Sequence, residues 1–409
     1  MNEGFQRRHL VVMSAAAAVL MITMGMRQTV GLYITPVMDS THLAYASMSF
    51  ALAVGQLMWG AAQPVFGAMA ERHGAQRVLV IGALMLAAGF ALTPFMGSEW
   101  GVVLTLGVLT AAGAGAGSFA VIIGQVAQRV PPARRSFASG FVNAGGSLGQ
   151  FVFAPVTQLL IASAGWMMTM WTMTLAALAT LPLARPLLRR EGDAAPMTAT
   201  GAAPAAPMSL RAQLRIAAGD RSYWLLHAGF FTCGFHIAFL VTHLPGEVGL
   251  CSLPASVAAT SLAIIGLANV AGSLTAGWAG GVMRMKWLLF IMYFSRALAV
   301  LIYVAAPKSP ATFYVFAAVL GFTWLATVPP TAGLIGKLFG VRYLGTLFGL
   351  ATFTHQIGAF FGAWLGGIVL TRTGDFTWMW YADAALATAA AFINLPIREA
   401  KLKATPVPA

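Results

Sequence analysis

Long apolar stretches alternate with short polar loops along the whole chain. Six stretches occupy the first half and six the second, and each is about 20 residues or longer. A helix of about 20 apolar residues crosses the hydrocarbon core of a bilayer. The pattern therefore predicts an all-α protein with twelve transmembrane helices, numbered here spans 1 to 12: 9–34, 45–70, 77–97, 100–129, 135–163, 166–188, 221–248, 254–281, 286–306, 310–338, 342–371 and 377–396.

A polar segment separates the two sets of spans. Residues 189–220 start with Arg189, Arg190 and Glu191 and continue into a run rich in Ala, Pro and Thr. This composition is typical of a flexible linker. We therefore predict an N-terminal six-helix bundle over 1–188, a cytoplasmic linker over 189–220, and a C-terminal six-helix bundle with a short cytoplasmic tail over 221–409.

The composition narrows the class of protein. Hydrophobic residues make up 59% of the 409 residues and charged residues 9%, whereas soluble proteins carry about 25% charged residues. A soluble enzyme and a disordered protein are therefore excluded, and the predicted partner is the lipid bilayer. The net charge of +13 does not indicate nucleic-acid binding, because the basic residues form short clusters between apolar stretches and share no single face.

The distribution of basic residues predicts the orientation. Of the 24 Lys and Arg residues, 20 lie in the N-terminus, in the loops after even-numbered spans, or in the C-terminal tail. Only Lys308 and Arg372 lie in the opposite loops, and Arg27 and Arg296 lie within spans. Cytoplasmic loops are enriched in Lys and Arg, so both termini are predicted to be cytoplasmic. We predict a multi-pass protein of the cell membrane, which in bacteria is the inner membrane.

The two halves align with each other at a constant offset of 209 residues. Such a repeat predicts two pseudo-symmetric halves, as in transporters that rock two bundles around a central site. An unrelated twelve-helix bundle is the alternative. The matched pairs are Gly25 and Gly234, Pro36 and Pro245, Arg77 and Lys286, Gly140 and Gly349, and Gly149 and Gly358.

The loop between spans 2 and 3 carries a recognisable motif. It reads Gly67-Ala-Met-Ala-Glu71-Arg72-His-Gly74-Ala-Gln-Arg77. This resembles the loop signature of the major facilitator superfamily, with Glu for the usual Asp and Ala-Gln where basic residues are usual. The resemblance implies the major facilitator fold, in which this loop latches the cytoplasmic side of the outward-open state. The predicted gating residues are Gly67, Glu71, Arg72, Gly74, Arg77 and, at the start of span 5, Arg135.

Span 5 favours one branch of that superfamily. It opens Arg135-Ser-Phe-Ala-Ser-Gly140 and continues Ala-Gly-Gly-Ser-Leu-Gly149, which resembles the monocarboxylate transporter and carboxylate exchanger branch. Generic small-residue packing is the alternative. The acid-Gly-aromatic motif that this branch has at span 1 is absent. In span 8, Asn269 fits the pattern, but Ser273 stands where the branch has a substrate-binding Arg. Either the substrate differs or another cation binds it.

Ionisable residues inside the spans are costly and therefore indicate function or pairing. Arg27 lies in span 1, which the resemblance places beside the central cavity, and a guanidinium binds a carboxylate well; a structural ion pair is the alternative. His236 occupies the equivalent repeat position and is predicted to face Arg27, as an anion ligand or proton carrier. His243 lies further out in span 7 as another proton-coupling candidate. A hydrogen bond inside the bundle is the alternative for both histidines.

Span 11 adds one more candidate. His355 lies where related carboxylate exchangers have a cationic residue, which implies an anion ligand or a proton carrier. The uncharged ligand candidates are Gln56, Asn143, Asn269 and Tyr33.

Two charged residues lie in spans that are peripheral in the fold that the resemblance implies. Arg296 in span 9 and Asp383 in span 12 are at similar depth, counted at 1.5 Å per residue. We predict a structural ion pair between them. The two cysteines lack partner spacing, and we predict no metal and no cofactor.

The function predicted from these observations is secondary active transport of a small organic anion. The substrate class is a monocarboxylate, moved by proton symport or by exchange for a counter-anion, with the two halves of a monomer rocking about the site. The alternative is an exporter of amphipathic drugs or metabolites by proton antiport. Such an exporter would need an acidic residue in the central cavity to bind cations. Of the acidic residues in the sequence, only Asp383 lies deep in a span. A sensor built on this scaffold would normally add a soluble signalling domain, and no segment of the sequence is long enough for one. A membrane enzyme would need a metal site or a nucleophile constellation, and the sequence shows neither.

Overall fold

The computed structural model describes residues 7–73, 75–127, 135–187, 209–340 and 343–399. Throughout these ranges the regular structure is helical. The helices of the first half are α1 (Arg7–Gln28), α2 (Ile34–Thr41), α3 (Tyr45–His73), α4 (Ala75–Leu92), α5 (Glu99–Val102), α6 (Ala111–Ala116), α7 (Phe119–Ala127) and α8 (Arg135–Leu183).

The second half repeats this arrangement after one short additional helix. Its helices are α9 (Leu210–Ala218), α10 (Arg221–Leu250), α11 (Ala255–Val282), α12 (Met285–Ala305), α13 (Pro310–Thr323), α14 (Val328–Phe339), α15 (Leu344–Thr373) and α16 (Thr377–Asn394).

Membrane-spanning helices dominate the described residues, which contain nine helical stretches long and apolar enough to cross a bilayer. One of them, Phe141–Leu183, has 43 residues, about twice the length that one crossing needs. It is divided at Gly165, whose φ of 82° and ψ of 163° are not helical and suit a residue without a side chain. The helices α3 and α16 occupy predicted spans 2 and 12. The protein is therefore a multi-pass helical membrane protein.

Predicted spans 4 and 10 are both interrupted. In span 4, α5 leads through a π-helical stretch, Val103–Thr110, into α6, and α7 starts at Phe119. In span 10, α13 ends at Thr323 and α14 starts at Val328, with prolines in its first turn. Proline lacks a backbone N–H and suits a helix start. Phe119 and Val328 are separated by 209 residues, so the repeat extends to these interruptions.

Equivalent helices pair in each half, α1 with α8 and α10 with α15. A Cβ atom at Gly149 would lie 2.1 Å from the carbonyl oxygen of Met21. A Cβ atom at Gly358 would lie 2.0 Å from that of Phe231. Only glycine permits either approach, and Gly149 and Gly358 are themselves a matched pair of the repeat. Small residues at such positions let membrane helices pack closely.

Two large hydrophobic clusters correspond to the two halves. The first lies between Val12 and Leu187, and the second lies mainly between Ala217 and Ile397. The halves meet where α3 packs on α15 and α8 packs on α11. Side chains from these four helices, with α1 and α10, surround the candidate site.

The last part of the predicted linker contains a short helix, and residues 189–208 lie outside the described structure. Leu210–Ala218 form α9, and the Ser209 hydroxyl accepts a hydrogen bond from the Ala212 N–H at 3.2 Å. Such a cap satisfies one of the free N–H groups at a helix start. The buried side chains of α9 belong to Gln213 and Ala217, so the helix rests on the bundle.

The predicted gating loop is described only in part. Gly74 lies outside the described residues, as do the side chains of Glu71, Arg72 and Arg135. Arg77 is exposed on α4. Within the described part of the chain, no atom lies within 4 Å of a Cβ position at Gly67. The role of this loop as a latch stays a prediction.

Candidate functional site

Arg27, near the end of α1, is held by neutral side chains. Its guanidinium Nη2 donates hydrogen bonds to Gln56 Oε1 and, at 3.4 Å, to Gln356 Oε1. The guanidinium carbon lies 4.2 Å from the ring centre of Trp59, a cation–π distance. Among the described residues, no carboxylate lies within 4.0 Å of this cation. Arg27 is half-buried, so within the described ranges it is a cation in the bundle without a counter-charge.

The Arg27 site joins the two halves of the molecule. Gln56 and Trp59 come from α3, one helical turn apart and therefore on one face, whereas Gln356 comes from α15. The close approach of α3 to α15 depends on Gly60, where a Cβ atom would lie 2.6 Å from Cβ of Gln356. Any movement of one half against the other therefore changes the surroundings of Arg27.

His355 lies next to this cluster and is buried on α15. The Gln356 amide nitrogen donates to His355 Nδ1 at 3.0 Å, so the proton of the neutral ring is on Nε2. One face of the ring packs on Phe230 at 4.7 Å between ring centres. Gln356 thus connects Arg27 to His355, and the role of His355 as an anion ligand stays a prediction.

Asn269 bridges three elements and has both ends of its amide occupied. Its Nδ2 donates to the Ser147 hydroxyl on α8 at 2.9 Å, and its Oδ1 accepts from the Leu325 N–H at 3.0 Å. The second bond caps the break between α13 and α14. Asn143 lies one turn before Ser147 and is half-buried. The role of either asparagine as a ligand stays a prediction.

Tyr33 belongs to the core of the first half. It is buried in the first hydrophobic cluster, with its ring centre 6.5 Å from that of Phe90. The described hydrogen bonds do not include one between Tyr33 and Arg27. The described contacts therefore do not connect Tyr33 to Arg27, and the role of Tyr33 as a ligand stays a prediction.

The expectation that His236 faces Arg27 is corrected by the structure. His236 is fully buried on α10, and its Nδ1 is hydrogen-bonded to Asp383 Oδ2 on α16. The repeat relates backbone positions, but a side chain turns toward whichever partner its own half supplies. A buried carboxyl group needs a hydrogen-bond partner, and Asp383 has His236 as its partner.

The predicted ion pair between Arg296 and Asp383 is absent, although α12 does pack on α16. Arg296 Nη2 instead donates to the carbonyl oxygens of Thr323 at 2.7 Å and Trp324 at 3.4 Å. These carbonyls lie at the end of α13, where a helix leaves its last carbonyls without backbone partners. The interruption of span 10 therefore attracts the guanidinium.

His243 connects the halves at one end of the bundle. Its Nε2 lies 2.7 Å from the carbonyl oxygen of Ala363, which can only accept, so Nε2 carries the proton. Its Nδ1 then accepts from the Tyr45 hydroxyl on α3 at 2.9 Å. Close by, a Cβ atom at Gly31 would lie 2.2 Å from the Val241 carbonyl oxygen. We call this region the closed end.

Several contacting residues were missed by the sequence reasoning. Trp59 could have been predicted, because it lies three residues after the candidate Gln56 and therefore on the same face of the helix. Gln356 is adjacent to the candidate His355. Tyr45 and Ser147 carried no signal, because their partners lie far away in the chain.

Comparison with known proteins identifies the family. The sequence profile of the Major Facilitator Superfamily matches residues 16–278. The chain belongs to the Major Facilitator Superfamily. The resemblance predicted from the loop between spans 2 and 3 and from span 5 is thereby confirmed. The family and the relatives below are transporters and not enzymes.

Two relatives are similar along most of their length. Monocarboxylate transporter 13 of Rattus norvegicus is 25% identical over 393 residues, covering 95% of this chain and 88% of the relative. The oxalate:formate antiporter of Oxalobacter formigenes is 25% identical over 366 residues, covering 87% of this chain and 84% of the relative. The crystal structure of a D-xylose-proton symporter superposes with a TM-score of 0.73 at 16% identity, covering 96% of this chain and 97% of that one, which shows the fold.

Proposed function

We propose that this protein is a secondary active transporter of a small organic anion, a monocarboxylate, driven by proton symport or by exchange for another anion. The observation that carries this proposal is Arg27, a half-buried cation held only by amides and an indole. A charge inside a membrane protein is costly unless it has a partner or a function. A carboxylate that binds the guanidinium supplies the missing counter-charge.

The neutral surroundings favour a substrate with a single negative charge. Of the cations that the structure describes, Arg27 is the one available at the site, because Arg296, the other arginine within the spans, is buried against backbone carbonyls. Gln56 and Gln356 orient the guanidinium and present amide donors beside it. His355 and Asn143 complete the proposed ligands. The names of the two relatives, which concern monocarboxylate, oxalate and formate, support a carboxylate.

We further propose the predicted architecture of twelve spans, with bundles over 1–188 and 221–409 and both termini in the cytoplasm. The two equivalent helix pairs and the two equivalent interruptions support the pseudo-symmetric halves. The positions of the basic residues support the orientation, and the bacterial inner membrane is the proposed location. One chain supplies the residues on both sides of Arg27, so a monomer is sufficient. The halves rock about this site.

The proposal is tested by transport into proteoliposomes. Uptake of labelled formate, acetate, pyruvate, lactate and oxalate is measured with and without a pH gradient. The expected loss for Arg27→Ala is at least about tenfold, since charge-assisted hydrogen bonds contribute about 1.5–3 kcal/mol. Arg27→Lys keeps the charge without the bidentate geometry and is expected to lie in between.

Arg372→Ala is the matched control, because Arg372 is exposed at the end of α15. It is expected to transport at the wild-type rate. If Arg27→Ala also does so, the anion site is assigned wrongly. Transport of a lipophilic cation with no carboxylate transport would instead support the amphipathic exporter.

A further inference from the structure

A second polar centre lies between α10, α12 and α16. His236 and Asp383 are both 0% exposed, and Arg296 is 1% exposed. Cys233, one turn before His236, contacts Arg296 Nη1 at 3.5 Å. Ionisable groups at such depth are rare in membrane proteins and are a functional signal by default.

In the described part of the chain, several buried polar atoms of this centre lack hydrogen-bond partners. His236 Nε2, Asp383 Oδ1 and Arg296 Nε are buried and have no hydrogen-bond partner among the described residues. An unpaired buried polar atom destabilises the fold, and buried ion pairs are often replaceable by apolar residues without loss of stability. Stability alone therefore does not explain why three ionisable groups occur together here.

The charges of this centre suit the binding of one proton. With Asp383 ionised, His236 neutral and Arg296 protonated, the net charge is zero; with one proton added, it is +1. Neither state leaves a buried anion uncompensated. Arg296 bonds to neutral carbonyls, which do not cancel its charge, so it attracts Asp383 through space.

The titratable and charged groups around His236 come from four helices. Asp383 lies on α16, Arg296 and Tyr293 on α12, His355 on α15, and Cys233 on α10 itself. The break between α13 and α14 contributes Trp324, whose ring centre is 6.0 Å from that of His236 and which does not titrate.

A close helix contact connects this centre to Arg27. A Cβ atom at Gly234 would lie 1.7 Å from the carbonyl oxygen of His355. Gly234 is two residues before His236, and His355 is followed directly by Gln356, which binds Arg27. A shift of α15 when an anion binds at Arg27 therefore displaces α10 at the His236–Asp383 pair, which is the kind of packed connection that couples two sites.

We propose that the His236–Asp383 pair, positioned by Arg296, binds the proton that is transported with the anion. This inference rests on the proposed function. Of the two coupling modes proposed there, it selects proton symport over anion exchange. One proton enters from one side of the membrane, binds to the pair, and leaves on the other side after the halves have rocked. No other bond forms or breaks. His355 then acts at the anion site and not as the proton carrier.

The experiment compares Asp383→Asn and His236→Gln with the control His227→Gln. His227 is a buried histidine on the same helix, hydrogen-bonded to Thr354 at 2.7 Å, outside both centres. Pyruvate exchange at equal pH and pyruvate accumulation driven by a pH gradient are measured in the same proteoliposomes. Both test variants are expected to keep exchange within about twofold and to lose gradient-driven accumulation by at least about tenfold. The control is expected to keep both.

A ligand-free measurement separates this inference from the proposed function. The thermal midpoint of the purified protein is compared at about pH 5 and about pH 8, the range in which histidine pairs titrate. Asp383→Asn is expected to lose part of the wild-type difference between the two pH values. If no carboxylate is exchanged by wild type but this loss occurs, the proposed function fails and the proton site stands.

Two results would overturn the proton site. One is gradient-driven accumulation at the wild-type rate in Asp383→Asn or His236→Gln. The other is an unchanged pH dependence of the midpoint in both variants. If Asp383→Asn does not fold, His236→Gln decides the question, because glutamine keeps a hydrogen-bond donor for Asp383.

Discussion

The two arginines within the spans are accommodated in different ways. Arg296 is buried and donates to backbone carbonyls at a helix end, so its hydrogen bonds are internal. Arg27 is half-buried beside amides and an indole ring. The first environment holds a guanidinium permanently, whereas the second leaves donors for a ligand. This difference, and not the presence of an arginine, distinguishes a binding group from a positioning group.

Glu399 provides a residue-level test outside the spans. Its carboxylate accepts from Lys337 Nζ at 2.7 Å and from the Met285 N–H at 3.0 Å. Burial opposes ionisation, but these hydrogen bonds and the Lys337 charge outweigh it and lower the pKa of Glu399 below its ordinary 4.5. A lowered folded-state pKa stabilises the fold above the ordinary value, and this contribution is lost as the pH falls through the folded pKa.

We therefore expect Glu399→Gln to destabilise the protein by about 1 kcal/mol at neutral pH. The variant should also lose part of the decline in stability below about pH 4.5. Unfolding in detergent, followed by tryptophan fluorescence across that range, measures both effects. Asp375→Asn, at an exposed loop acid, is the control. A variant as stable as wild type at neutral pH would contradict this interpretation.

At the scale of elements, the interruption of span 10 organises the second half. Arg296 and Asn269 both bond to backbone groups between Thr323 and Leu325. Asn269 also reaches Ser147 on α8, so the same amide ties the broken helix to the other half. Side chains therefore stabilise the interruption, because the carbonyls of Thr323 and Trp324 and the N–H of Leu325 all have side-chain partners.

Asn269→Ala tests this arrangement. It leaves the Leu325 N–H without its acceptor and is expected to cost about 1–3 kcal/mol. The thermal midpoint in detergent is the measurement. Ser273→Ala, one turn further along α11, removes only a hydroxyl that donates at 3.4 Å, and is expected to change the midpoint much less. Equal midpoints for the two variants would show that Asn269 does not support the break.

At the scale of the whole molecule, the two halves touch at the closed end. Gly31 lies against the backbone of Val241, Tyr45 donates to His243, and Ser49 packs against Gly367. In the proposed orientation this end faces outward. Alternating access requires these contacts to separate, so their strength sets the balance between the two conformations.

A methyl group at Gly31 is expected to open the closed end. Overpacking costs about 1–3 kcal/mol, and even the lower figure changes the balance of conformations by about fivefold. Labelling of Ser49→Cys by a membrane-impermeant maleimide should therefore be faster in Gly31→Ala. The background carries Cys251→Ser, because Cys251 is half-buried, whereas Cys233 is buried and stays.

Gly97→Ala is the control for this variant, because open space surrounds Gly97 among the described residues. Its labelling rate should equal that of the Ser49→Cys parent. If Gly31→Ala also labels at the parent rate, the contact with Val241 does not hold the two halves together.

The amino-acid sequence alone was enough for the family, for the class of multi-pass helical membrane protein, and for the repeat of 209 residues. Each depends on local properties of the amino-acid sequence. Hydropathy follows from the local run of side chains, and close helix pairs require small residues at fixed positions such as Gly149 and Gly358. The candidate Arg27 was found in the same way, because a charge is conspicuous in an apolar segment.

Only the tertiary structure decided which partner each polar side chain has. Counting residues predicted a similar depth for Arg296 and Asp383, and their helices α12 and α16 do pack on each other. The direction of a side chain around its helix depends on distant packing, and so does the break between α13 and α14. For that reason Arg296 binds the carbonyls of the break, and Asp383 binds His236.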